Sequence, residues 1–121
     1  MDDKAFDARW ELLKQQIERD SLPLYKELSL LGGGVKEGIF LSQAVRWHES
    51  EADATGWFTK TQEEWSQATT LSRAEQETVR RNLRERDLLL EARKGLPARY
   101  HYSLNWDVLF ERIKELKRGG E

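Results

Sequence analysis

Two helix-start signals in quick succession constrain this chain more than any other feature. Thr61-Gln62-Glu63-Glu64 and Ser72-Arg73-Ala74-Glu75 each place a hydroxyl residue three positions before a glutamate. At that spacing the hydroxyl accepts from the backbone N–H three residues on, and the glutamate reaches back to the N–H of the capping residue. The first box predicts a short helix to about Gln67, with Trp65 and Ala68 facing inward. The second predicts a helix to about Arg86. Its Gln76, Val79 and Leu83 share one face, and Arg73, Glu77, Arg80, Arg81 and Arg84 lie on the others. Only the turn Thr69-Thr70-Leu71 stands between the helices. Two capped helices joined so closely form a helix-turn-helix.

The chain then reverses at Asp87, a residue that tolerates the left-handed conformation. Leu88 to Arg93 and Ala98 to Leu104 read as strands, the second alternating Tyr100, Tyr102 and Leu104. Lys94-Gly95-Leu96-Pro97 joins them tightly. A helix-turn-helix followed by a hairpin is a winged helix. A further short aromatic strand, Trp57-Phe58-Thr59, precedes the first capping box.

The flanks read as helices. Phe6, Trp10, Leu13 and Ile17 line one face of a helix over 4–19. Ser21 can cap a second helix from about Pro23, with Leu24, Leu28 and Leu31 as its stripe. Gly32-Gly33-Gly34 ends it. No strand precedes these glycines and no Gly-Lys-Ser/Thr follows, so a helix stop fits better than a phosphate cradle. Val35 to about Glu49 is apolar over a wide arc and predicts a central helix. The acidic stretch from Glu49 to Gly56 reads as a solvated loop; with His48 it has no metal-ligand spacing. Asn105 to about Arg118 carries Trp106, Leu109, Phe110, Ile113 and Leu116 at helical spacing.

The expected fold is thus mainly α with a small β-hairpin: one α+β domain, a winged helix-turn-helix with added terminal helices. Its parts are an N-terminal helix (1–20), a core (22–104), a C-terminal helix (105–118) and a disordered tail (119–121). At 121 residues, 38% hydrophobic and 35% charged, the chain matches one helical domain with solvated outer faces. The absence of cysteine excludes disulfides and thiol chemistry. No apolar run is long enough to span a bilayer and the start lacks signal-peptide order, so a cytoplasmic protein without membrane contact is expected. With two histidines and no triad or carboxylate-pair spacing, neither catalysis nor a metal or cofactor is expected.

Net charge is −2, but unevenly spread. Residues 1–59 hold 7 basic and 11 acidic side chains, whereas Thr78 to Arg99 hold 7 basic and 3 acidic. A basic stretch on an acidic protein is an electrostatic footprint for nucleic acid. Double-stranded DNA is the expected partner, read from the N-terminal half of the helix that Ser72 opens. Arg73 suits a bidentate bond to guanine, with Ser72, Ala74 and Glu77 beside it. Glu75 and Glu77 face the phosphates' own charge, or accept from cytosine. Arg80, Arg81 and Arg84 would reach flanking phosphates, Lys60 and Thr61 would stand at the other helix start, and Arg93, Lys94 and Arg99 would form a basic wing. The bland alternative is a solvated face with pairs such as Glu77–Arg81 and Arg81–Glu85.

Four blocks carry a family resemblance: Gly34 to Gln43 leading to Trp47, Gly56 to Trp65, Leu71 to Gln76, and Arg93 to Tyr100. In this order, over about residues 22–105, they resemble winged-helix domains of bacteriophages, plasmids and other mobile elements. Replication-initiation and replisome-organiser N-terminal domains are among these. Asp87 stands where such domains usually have glycine. The resemblance implies DNA binding in replication or transcription control of a mobile element. The alternative is a winged helix that docks proteins without touching DNA. The two terminal stripes could pack on each other within one chain or pair two copies into a homodimer.

Overall fold

In the computed structural model, residues 25–119 are described, and before them residues 8, 11 and 12, which are helical. The rest of the helix expected over 4–19, the start expected near Pro23 and residues 120–121 lie outside the described residues.

Helix α1 spans Tyr25–Gly32 and α2 spans Val35–Glu51. Gly33 ends α1 as the sequence suggests. Its φ of 96° is a left-handed value that glycine adopts without strain, and Gly33 and Gly34 both donate to the Ser29 carbonyl. Helix α2 runs two residues past Glu49 and is the central rod, with Gly38 and the run from Phe40 to Ala44 buried. The acidic stretch that follows is a turn built on Asp53, whose Oδ1 accepts from the N–H groups of Thr55 and Trp57.

Strand β1 (Phe58–Thr59) leads into α3 (Gln62–Thr69) and α4 (Arg73–Glu85), and the wing follows as β2 (Leu89–Lys94) and β3 (Arg99–Leu104). The strand order is β1-β3-β2, all antiparallel, so the expected hairpin is part of a three-stranded sheet. Phe58 lies opposite Tyr102, and Leu89 opposite Leu104. Asp87 reverses the chain with φ 60°, while Leu88 N–H donates to the Leu83 carbonyl. Helix α3 corrects one expectation. It continues to Thr69, and Thr69, four residues after Trp65, is the buried partner, leaving Ala68 exposed. The Thr69 hydroxyl donates to the Trp65 carbonyl and accepts from Leu71 N–H, which satisfies it in the core.

Aromatic rings fasten these layers together. Phe40 of α2 stacks on Trp65 of α3 with centroids 3.8 Å apart, and Tyr102 of β3 meets Trp65 edge-on at 5.4 Å. Such pairs add about 0.5–1.5 kcal/mol each beyond the area they bury. The last helix, α5 (Trp106–Gly119), buries Leu109 and Ile113, whereas Phe110 is exposed and stacks on Trp106. Trp106 Nε1 donates to His48 Nε2 at 3.0 Å, tying α5 to α2. The architecture is mainly helical with a small antiparallel sheet, a winged-helix-like α+β fold. Among the described residues no helix is long and apolar enough to cross a membrane.

Candidate nucleic-acid interface

The starts of α3 and α4 and the flank of the wing border an open cleft of about 530 Å³. Lys60, Thr61, Arg73, Arg93 and Arg99 line it, together with Glu64 and Tyr100. Residues far apart in sequence meet here because α4 and the sheet pack on the same aromatic core.

Both capping boxes form as read. Thr61 Oγ1 accepts from Glu64 N–H and Glu64 Oε1 from Thr61 N–H; Ser72 and Glu75 repeat the pattern. The Thr61 and Ser72 hydroxyls are therefore engaged as caps, and their part is to fix where each helix begins. The N–H groups of Arg73 and Ala74, at the first two positions of α4, have no intrahelical partner by virtue of position. They remain available to an anion.

The cations fall into two sets. Arg73, Arg81 and Arg99 are exposed and form no ion pair among the described residues. Arg93 lies 5.7 Å from the Tyr100 ring and Lys94 lies 5.2 Å from the Trp57 ring, contacts that hold these side chains without cancelling their charge. Ala74 and Glu77 are exposed on α4, as expected.

The second set corrects the sequence reading. Arg80, expected to reach phosphate, is buried: its Nε is 3.3 Å from Glu91 Oε1 and its guanidinium 4.9 Å from the Tyr100 ring. It stands four residues after Gln76 and three before Leu83, both fully buried, so helical geometry turns it inward. Arg84 is half-exposed but hydrogen-bonds the other Glu91 oxygen. Lys60 is also engaged. Its ammonium sits 2.5 Å from Glu51, 3.4 Å from Glu64 and 4.6 Å from the Trp47 ring, with the side chain 11% exposed. Burial pulls the Lys60 pKa down, but the two carboxylates outweigh it and hold the ammonium above its ordinary value.

Three contributors stand outside the site residues expected from the sequence. Lys36 of α2 pairs with Glu75 at 2.7 Å. That hydrogen bond, and next the Ser72 N–H, lowers the Glu75 carboxyl to about 2. Glu75 thus stays ionised but is paired with the Lys36 ammonium, and does not present an uncompensated charge to phosphate. Glu91 holds the wing to α4, and its place two residues after inward-facing Leu89 was the available signal. Tyr100 supplies the aromatic wall between Arg80 and Arg93.

No protein-family model matches this chain, and no curated protein matches it in sequence. Among solved structures, its fold is similar to a chain described as the N-terminal domain of a DNA binding protein. The TM-score is 0.51 at 15% identity, covering 88% of this chain and 94% of that one. At such identity the likeness concerns the fold.

Proposed function

We propose that this chain binds double-stranded DNA, with the start of α4 in the major groove and the wing along the neighbouring backbone. One observation carries the reading: Arg73 from α4, Arg93 from β2 and Arg99 from β3 line a single open cleft, and none is ion-paired among the described residues. Free guanidinium groups from separate elements converging on one surface suit phosphate and base-edge contacts. The fold likeness to a domain of a DNA binding protein supports the same reading. The role that fits the family resemblance is replication or transcription control of a mobile element, by binding and without catalysis.

The test is duplex binding by fluorescence anisotropy across a salt series. Affinity should fall steeply, with a log–log slope of about −0.9 per phosphate contacted. The Arg73→Ala, Arg99→Ala double variant should bind at least tenfold more weakly with an unchanged circular dichroism spectrum. Wild-type affinity in that variant would overturn the assignment. Exposed Phe110 on α5 supports a homodimer through the terminal helices, which light scattering would test; the N-terminal stripe of Phe6, Trp10, Leu13 and Ile17 lies outside the described residues.

A further inference from the structure

The wing ends in a feature that phosphate binding does not need. Leu96, Pro97 and Ala98 form an apolar tip exposed to water, and the Leu96 side chain is fully exposed. A single exposed leucine is ordinary on a protein surface. The surroundings of this one are not. From Ala92 to Leu104 there is no acidic residue. Arg93 and Lys94 lead into the tip and Arg99 leads out of it, with Lys94 and Arg99 paired across the ladder directly beneath it. Lys94 and Arg99 have no carboxylate partner among the described residues. An apolar point with cations on both sides is complementary to a minor groove, where two phosphate walls enclose the stacked bases. A protein partner would need an apolar pocket that is also rimmed by carboxylates, whereas a minor groove sets phosphates on both sides of stacked bases along its whole length.

We propose that Leu96, backed by Pro97, enters the minor groove next to the site of α4, wedges open a base step and bends the duplex. The proposal rests on the DNA-binding reading above and goes beyond it, since backbone contact by the wing requires no insertion. Pyrimidine–purine steps, the easiest to unstack, are the sequence class it selects under the wing.

The experiment uses the full chain and duplexes recovered by in-vitro selection, labelled at both ends for energy transfer and carrying 2-aminopurine at the step beneath the wing. Wild type should shorten the end-to-end distance and raise the 2-aminopurine emission at least twofold. Leu96→Ala should bind within about threefold of wild type with the same salt slope, because the phosphate contacts remain. It should lose both the bend and the emission rise, and Leu96→Phe, another wedge, should restore them. A wild-type complex that leaves the duplex straight, or a Leu96→Ala complex that still bends it, overturns the wedge while leaving DNA binding intact. The tip is then free for a protein contact. Absence of duplex binding by wild type overturns both readings together.

Discussion

Arg80 of α4 and Glu91 of β2 face each other across the base of the wing, Nε to Oε1 at 3.3 Å, with side chains only 5% and 8% exposed. They meet as charges, since Arg80 Nε has no aligned hydrogen-bond acceptor. The second Glu91 oxygen takes a hydrogen bond from Arg84, so one carboxylate fastens two turns of α4 to the wing. Removing a partner from such a buried pair leaves the other charge uncompensated, at about 3–5 kcal/mol. Glu91→Ala should therefore lose stability in that range. Arg80→Met removes the buried cation, keeps most of the packed stem and leaves Glu91 with Arg84, so its loss should be smaller. Urea unfolding midpoints of the two variants check the order. An Arg80→Met loss equal to that of Glu91→Ala would mean that packing, not charge, joins wing to helix.

Gly38 marks a close approach of α1 and α2. A Cβ there would lie 1.9 Å from Ser29 Oγ and 2.8 Å from Ser29 Cα. The hydroxyl can rotate away; the backbone atom cannot move without separating the helices. Gly38→Ala should cost about 1–3 kcal/mol by overpacking, set against a helix-propensity gain of at most about 1 kcal/mol. Adding Ser29→Ala removes only the hydroxyl clash, so the double variant should remain less stable than Ser29→Ala alone. Thermal unfolding of the three variants decides this. A double variant as stable as Ser29→Ala would show that the helices separate freely.

Local grammar made much of the fold legible. Capping boxes at Thr61 and Ser72, the glycine stop at Gly33 and the reversal at Asp87 each depend on residues within a turn of one another, and each forms as read. What stayed hidden is non-local. Pairing of β1 with β3 joins Phe58 to Tyr102, and the Lys36–Glu75 pair joins α2 to α4. Neither leaves a short-range pattern. Arg80 and Lys60 depart from the sequence expectation for a different reason: charge alone favours solvent, whereas an inward helical position brings in Arg80 and two nearby carboxylates bring in Lys60. For Arg80, position on the helix outweighs side-chain polarity because Glu91 supplies a buried counter-charge. Among the residues that line the cleft, Arg73, Arg93 and Arg99 were legible because nothing in the packed core competes for them.

Acid should act on the start of α4 through Glu75. Its carboxyl titrates near its ordinary value of 4.5 when unfolded and at about 2 when folded, because Lys36 and the Ser72 N–H favour the charged form. A depressed folded value means that the stabilisation is complete above about pH 4.5 and is lost as pH falls toward 2. Glu75→Gln retains an oxygen for the Ser72 N–H but has no charge to titrate. Its stability should fall less than that of wild type across this window, although Asp53 and Glu64, whose carboxyls are also lowered by hydrogen bonds, keep some acid sensitivity in both. Urea midpoints measured from pH 5 down to about pH 2 compare the two proteins. Parallel curves would remove Glu75 from this account.

Lys60 and Arg99 both line the cleft, yet their loss should have opposite consequences. Arg99 is exposed and unpaired among the described residues, so Arg99→Ala should weaken duplex binding and lower the salt slope by about 0.9, one phosphate's share. Lys60 is held by Glu51 and Glu64 over the Trp47 ring. Lys60→Ala should therefore leave the salt slope near wild type. It should instead destabilise the junction of α2 with α3, and it uncovers two carboxylates beside the cleft, so a modest loss of affinity by repulsion accompanies it. Anisotropy titrations across a salt series, paired with urea unfolding, separate the two effects. A reduced slope for Lys60→Ala with unchanged stability would mean that its ammonium leaves those carboxylates for a phosphate when DNA binds.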